Sequence, residues 1–321
     1  MESIVRHRYI WFVLSLVIII PGLVSLGLYG LRPSIDFSGG ALWEFQFPDR
    51  QIADLHTEDI RQVFATQGFE GAQVQLSEVK IGDKTIPSAL VRTKALDPNS
   101  AETQQRDVLT ALQAKYGPNT RREQIQSVGA TVSQESTRSA VIAVLGACVA
   151  ILIYLTVAFR KAPHPIRYGV CALLAMLHDV LVVLGVASIL GELIGLEVDA
   201  LFLTALLTVI SFSVHDTIVV FDRIRENLIG RRSGETFDDI VNHSIVQTLP
   251  RSINTQLTSF FTLTALLLFG GASIRNFVLI LLIGLISGTY SSIFNAAQLL
   301  VVWENQEWRS WFGRGREAAA A

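Results

Sequence analysis

Two carboxylates, Asp179 and Asp216, lie inside long apolar runs of a 321-residue chain, each directly after a histidine, His178 and His215. A cation, Arg251, opens a further apolar run. An ionisable side chain at mid-bilayer costs about 2.5–3.5 kcal/mol on insertion scales, so a carboxylate there is protonated or paired. Such groups mark a bundle interior and often an ion path. A histidine alone is commonly a satisfied core residue, whereas two acids resist that explanation.

Spacing adds to identity. Thr204, Thr208, Ser211 and His215 recur on one face of a 3.6-residue helix, and Arg251, Thr255, Thr258 and Thr262 repeat the pattern with Asn254 and Gln256 alongside. If the two helices are consecutive and antiparallel, the stripes can face each other in a hydrated or hydrogen-bonded seam. Threonines in membrane helices also serve as plain packing residues, and the stripes by themselves fit either reading. Asp216 lies six residues before Asp222, about 9 Å along the axis at 1.5 Å per residue. Arg251 begins the next helix and its long side chain reaches along its neighbour, so the expectation is an Asp216–Arg251 pair at comparable depth.

The elements that must carry these groups are membrane helices. Half of the chain is hydrophobic (50%), only 17% is charged, and the net charge is −2, which points away from nucleic acid. Six windows hold the roughly 20 apolar residues that a span needs: about 9–30, 139–159, 166–190, 200–221, 252–270 and 276–302. The first, preceded by Arg6 and Arg8, reads as a retained helix rather than a signal peptide, because its apolar run is too long and no small-x-small site closes it. Arg160, Lys161 and Arg167, then Arg223, Arg225, Arg231 and Arg232, then Arg309, Arg314 and Arg316 flank alternate ends of the windows. The opposite ends are nearly bare of basic residues, so both termini are expected in the cytoplasm. Trp11, Trp303, Trp308 and Trp311 stand where interfacial anchors belong. Gly284, Gly288, Ser291 and Asn295 form a small-residue face on the sixth window, as Ser139, Ala143 and Ala147 do on the second. Cys148 and Cys171 lie in apolar stretches and make no metal site.

Residues 31–138 are then expected outside as one folded domain. Residues 41–47 alternate as a strand, 56–68 show helical spacing, 72–80 and 84–94 flank a Gly82-Asp83-Lys84 turn, 101–116 are again helical and 121–129 form a last strand. That order is the ferredoxin-like βαββαβ unit. Between the fourth and fifth windows, 222–250 contains an amphipathic segment that Thr236 could cap, either lying on the membrane surface or packed beneath the bundle. The domains expected are 1–30, 31–138, 139–302 and a tail, 303–321. No GxxxxGK(S/T) loop, HExxH or GxSxG occurs, so no cofactor and no nucleotide hydrolysis are expected, and an ion gradient is the natural energy source.

Several segments resemble the SecF family of bacterial protein-export subunits: SIDFSGGALWEF, LHDVLVVLG, SFSVHDTIVVFDRIREN, RSINTQLTSFF and GTYSSIFNA, in that order between residues 35 and 296. The resemblance implies an α-helical membrane protein with six transmembrane helices, half of a resistance-nodulation-division-type transporter, plus one α+β ferredoxin-like extracytoplasmic domain. It implies a SecD-like sister subunit, the SecYEG channel and unfolded preproteins as partners, protons as the coupling ion, and the bacterial inner membrane as location. It ties Asp216 and Arg251 to proton movement, with Asp179, His215, Thr255 and Asn254 beside them, and marks Asp36, Gly39 and Gly40 as the family's Asp-Phe-x-Gly-Gly signature. A small-molecule or lipid exporter of the same superfamily, and an uncoupled scaffold, are the competing readings.

Overall fold

The computed structural model describes residues 4–311 except 82, 83, 161 and 232. Lys161, Arg232, Arg314 and Arg316, and the Gly82-Asp83 turn expected above, lie outside the described residues. Pro33–Ala140 forms one compact unit, and the helices before and after it form the other.

The sheet unit begins with a four-residue helix, α2 (Ile35–Ser38), and continues β1 (Gly40–Gln46), α3 (Thr57–Thr66), β2 (Gln73–Ile81), β3 (Lys84–Thr93), α4 (Ala101–Tyr116) and β4 (Arg121–Val128). The four strands lie in the order β2-β3-β1-β4, every neighbour antiparallel. The alternation of β1 sends Ala41, Trp43 and Phe45 into the core. There Trp43 meets Phe64 and Phe69 edge-on at 5.4 and 5.5 Å between centroids, and its indole N–H donates to Thr93 Oγ1 at 2.9 Å. The Asp-Phe-x-Gly-Gly segment is the entry turn. Ser34 caps α2 by accepting from the Asp36 N–H, and Gly39 closes the helix. Gly40 has φ +122°, and a Cβ there would stand 2.6 Å from the Thr93 carbonyl oxygen, so no side chain fits.

The helical unit holds α1 (Arg8–Tyr29), α6 (Pro165–Ile194), α7 (Ala200–Ile229) and α8 (Phe237–Phe269), most of α5 (Ala130–Ala158), and a sixth long helix built from α9 (Ala272–Ser291), a π turn (Ser292–Ala296) and α10 (Ala297–Glu304). A short α11 (Trp308–Trp311) follows. Among the described residues, six helices are thus long and apolar enough to span a membrane. About half of the most apolar stretch is buried in α6 (56%), α7 (50%) and the sixth helix (56%), against 17% in α1, 6% in α5 and 11% in α8. The first three therefore form the core and the others flank it. Where α1 crosses α6, a Cβ on Gly22 would lie 2.7 Å from Gly185 Cα, and Ser25 and Ser188 share a hydrogen bond of 2.9 Å nearby. Small residues let the backbones touch there.

Of the two readings of the segment after Thr236, the surface helix is corrected and packing against the bundle is found: the segment is the first half of α8, which runs through Pro250. Its apolar residues Ile240, Val241 and Ile245 are buried in the bundle core. Thr236 does cap it, in a reciprocal capping box with Asp239. A proline removes one helical hydrogen bond, and packing on both sides of Pro250 holds the helix together across that gap.

Candidate functional site

Asp179 is fully buried (0% exposed) near the middle of α6. Its Oδ2 accepts from Ser213 on α7 and Ser291 on α9, each at 2.6 Å, and its Oδ1 accepts from Ser287 on α9 at 2.6 Å. His178 Nδ1 stands 3.0 Å from the same Oδ1. The four donors come from three helices and occupy both oxygens, which turns the carboxylate into a knot at the bundle centre. The small-residue face of α9 makes the approach possible: a Cβ on Gly288 would lie 3.3 Å from Ser213 Cα, and one on Gly284 would collide with the Val209 side chain. The serines are what sequence reasoning missed. Ser287 and Ser291 are one turn apart on the face that reads as close packing, and Ser213 is three residues before Asp216 on the same helix.

Asp216 is 3% exposed and has a different environment. One side chain bonds to it, Gln256 on α8, whose Nε2 donates to Oδ2. The Gln256 side-chain oxygen is buried with no partner among the described residues.

Arg251 does not pair with Asp216: among the described residues no ion pair joins them, and Arg251 is exposed on the surface of the isolated chain. Nor do the two polar stripes face each other. His215, Thr204 and Ser211 on α7, and Asn254, Thr255, Thr258 and Thr262 on α8, are exposed, with Thr208 half-buried. The threonine hydroxyls turn back onto carbonyls four residues earlier, Thr204 to Ala200 and Thr255 to Arg251 at 2.9 and 3.0 Å for example. A repeat of 3–4 residues defines a face but not the neighbour that covers it. The buried faces of α7 and α8 are the ones carrying Ser213 and Asp216, and Gln256, with Asn227 to Ser244 (2.8 Å) and Arg223 to Gln247 (2.5 Å) nearer their connection.

A second charged cluster gathers three distant parts of the bundle. Arg8 at the start of α1 binds Asp238 at 3.1 Å and also Glu307, while Tyr9 donates to Glu307 at 2.7 Å and Asn305 to Asp238 at 2.7 Å. Burial would push the Glu307 carboxyl up, but the hydrogen bonds from Arg8, Tyr9 and Asn305 and the guanidinium charge hold it below the ordinary carboxylate value. The start of α1, the start of α8 and the end of the sixth helix are therefore on one side.

Six long apolar helices with carboxylates buried among them define a multi-pass membrane protein. Residues 108–306 match the family described as protein export membrane protein SecD/SecF, C-terminal. The chain is 50% identical over 327 aligned residues to the protein translocase subunit SecF of Thermobaculum terrenum, and 46% identical over 322 to that of Anaerolinea thermophila, covering all of both chains in each case. Among solved structures it is similar to SecDF, a translocon-associated membrane protein from Thermus thermophilus, at 31% identity and a TM-score of 0.77, covering 95% of this chain and 39% of that one. It is also similar to SecDF in a super-membrane-facing form, at 29% identity and a TM-score of 0.63, covering 98% of this chain and 40% of that one. The chain belongs to the SecF family of protein translocase subunits.

Proposed function

We propose that this chain acts with a SecD-like sister subunit as an accessory part of the Sec translocase, and that a proton bound and released at Asp216 drives a late step of preprotein export. The observation that carries the reading is Asp216 itself: a carboxylate in a membrane bundle, 3% exposed, held by one neutral amide. Such a group can take up a proton without dismantling its surroundings, and a buried carboxylate with so few donors is the natural stop for one. The exposed polar stripes beside it support the partner. His215 and Arg251, with the threonines of α7 and α8, form a face that lipid disfavours, whereas a second half-transporter can cover it. Likeness to part of a longer SecDF chain supports the same pairing. The charge cluster at Arg8, Asp238 and Glu307 supports the start of the first helix and the end of the sixth on one side, and the basic flanks support the cytoplasm as that side. SecYEG and unfolded preprotein enter as the partners that a translocase subunit serves.

The test is export into inverted membrane vesicles with and without an ionophore. Asp216→Asn should leave assembly with the sister subunit intact and abolish the gradient-dependent part of export. Full gradient dependence in that variant would refute the proton role.

A further inference from the structure

Gln256 is the only side chain that bonds to Asp216 among the described residues, and half of its amide is unused. Its Nε2 donates to the carboxylate while its oxygen, on a residue 8% exposed, has no donor. A buried acceptor left without a donor is destabilising. Along its outer side Gln256 lines a groove of about 470 Å³ between α8 and α9, with Phe260, Leu285, Thr289, Tyr290 and Phe294. An amide at the edge of such a space has room to turn about its last torsion, which is soft.

We propose that Gln256 is a two-way hydrogen-bond partner that follows the proton on Asp216: its N–H₂ donates to the carboxylate, and its C=O accepts from the protonated acid. When a proton arrives, an O–H bond forms on the carboxylate and the former acceptor becomes a donor. On Oδ2, the oxygen that faces the amide N–H₂, that O–H would meet a donor. A half-turn of the amide brings the idle oxygen into its place, and release of the proton reverses the turn. The orphaned oxygen is thus the group that the other protonation state needs. Arg251 cannot play this part from where it stands, since it makes no ion pair with Asp216 and has no acceptor to offer. The titratable groups acting on Asp216 are His215 on its own helix and Asp179 on α6; the amide is what α8 presents. Gln256 is accordingly a positioning residue for the proton site. The inference rests on Asp216 being that site, as proposed above.

The experiment is infrared difference spectroscopy between acid and alkaline pH on the full chain, reconstituted with its co-purifying sister subunit. A protonated carboxyl band that disappears in Asp216→Asn belongs to Asp216. In Gln256→Met, which keeps side-chain volume, that band should move to higher frequency because the O–H has lost its acceptor. In the unsubstituted protein grown on glutamine labelled with ¹³C at the side-chain carbonyl, a labelled amide band should change with the same pH midpoint as the carboxyl, and should vanish in Asp216→Asn. This second measurement needs no change at Gln256, so it stands even if Gln256→Met fails to assemble. An Asp216 band at one frequency in both proteins, or a labelled amide that ignores pH, would overturn the inference and leave the proton role standing. Absence of any Asp216 carboxyl band in the unsubstituted protein would overturn both.

Discussion

Replacing Asp179 by Asn tests whether the α6 carboxylate ties the bundle together or carries protons. The carboxylate accepts from Ser213, Ser287, Ser291 and His178, two donors on each oxygen. Asn keeps one acceptor and converts the other into an N–H₂, so two of the four donors face a donor whichever way the amide turns. Hydrogen bonds to a charged group contribute about 1.5–3 kcal/mol each. Two lost bonds set an upper figure of about 3–6 kcal/mol. Hydroxyls in a helix can fall back on a carbonyl of the preceding turn, and Ser291 already lies 3.3 Å from the Gly288 carbonyl oxygen. Allowing for that, the expected loss is about 2–4 kcal/mol. Ser213→Ala or Ser291→Ala alone should cost about 1 kcal/mol, and each should cost less in the Asp179→Asn background, where its acceptor is already compromised. The assay is thermal unfolding of the purified protein in one detergent, with export measured per folded molecule. The reasoning is refuted if Asp179→Asn melts like the parent yet loses gradient-dependent export, for then the group is a proton carrier and not a tie.

Two further outcomes follow from close contacts. Gly185→Ala places a methyl group 2.6 Å from Gly22 Cα, so α1 must move off α6; the expected cost is about 1–3 kcal/mol, and cysteines introduced across the Ser25–Ser188 contact should then cross-link poorly. The Arg8–Glu307 cluster should make stability fall in acid, because Glu307 is held below its ordinary value of 4.5 in the folded chain. Its contribution is complete above that value and disappears as pH drops through the lower, folded one. Melting curves of Glu307→Gln should lack that part of the acid sensitivity, and an unchanged pH profile would show that the cluster contributes nothing to it.

What could be read from sequence divides along physical lines. Apolar length identifies a span because the bilayer core demands about 20 residues, and all six windows fall in long helices. The alternation of Ala41, Trp43 and Phe45 and the helical spacing of Ile60 and Phe64 likewise placed β1 and α3 to within a few residues. Helix ends were less legible. α7 continues past Asp222 to Ile229, and α8 begins at Phe237, well before the apolar window at 252–270, because charged and polar turns can remain helical outside an apolar core. In the site, Asp179 and Asp216 announced themselves by the cost of burying them, and both are buried. Their partners did not. A serine in a membrane helix has the same signature whether it packs, bonds to its own backbone or donates to a carboxylate, and only the neighbouring helix decides. The Arg251 pairing failed for a related reason. Both depth and rotation about the axis were misjudged: Gln256, five residues and about 7.5 Å further along α8 at 1.5 Å per residue, occupies the position.

The contrast between the two acids has a mechanical consequence. To release Asp179 from its hydrogen bonds, contacts among α6, α7 and α9 must all be rearranged, whereas Asp216 has only an amide on α8 to exchange. Ser213 ties α7 to the Asp179 centre three residues before Asp216, only about 4.5 Å along the axis at 1.5 Å per residue. The inner side of α7 is therefore fixed almost at the level of Asp216. The helix on its other side is α8, of whose most apolar stretch 11% is buried, while Ile240, Val241 and Ile245 anchor its first half in the core. On the proposed proton role, a movement started at Asp216 is expected in the outer half of α8, beyond Pro250, rather than in the α6–α7–α9 core. Because α8 also carries Arg251 and the threonine stripe, such a shift would, on the proposed pairing, change the face offered to the sister subunit and turn a local protonation into a signal between the two.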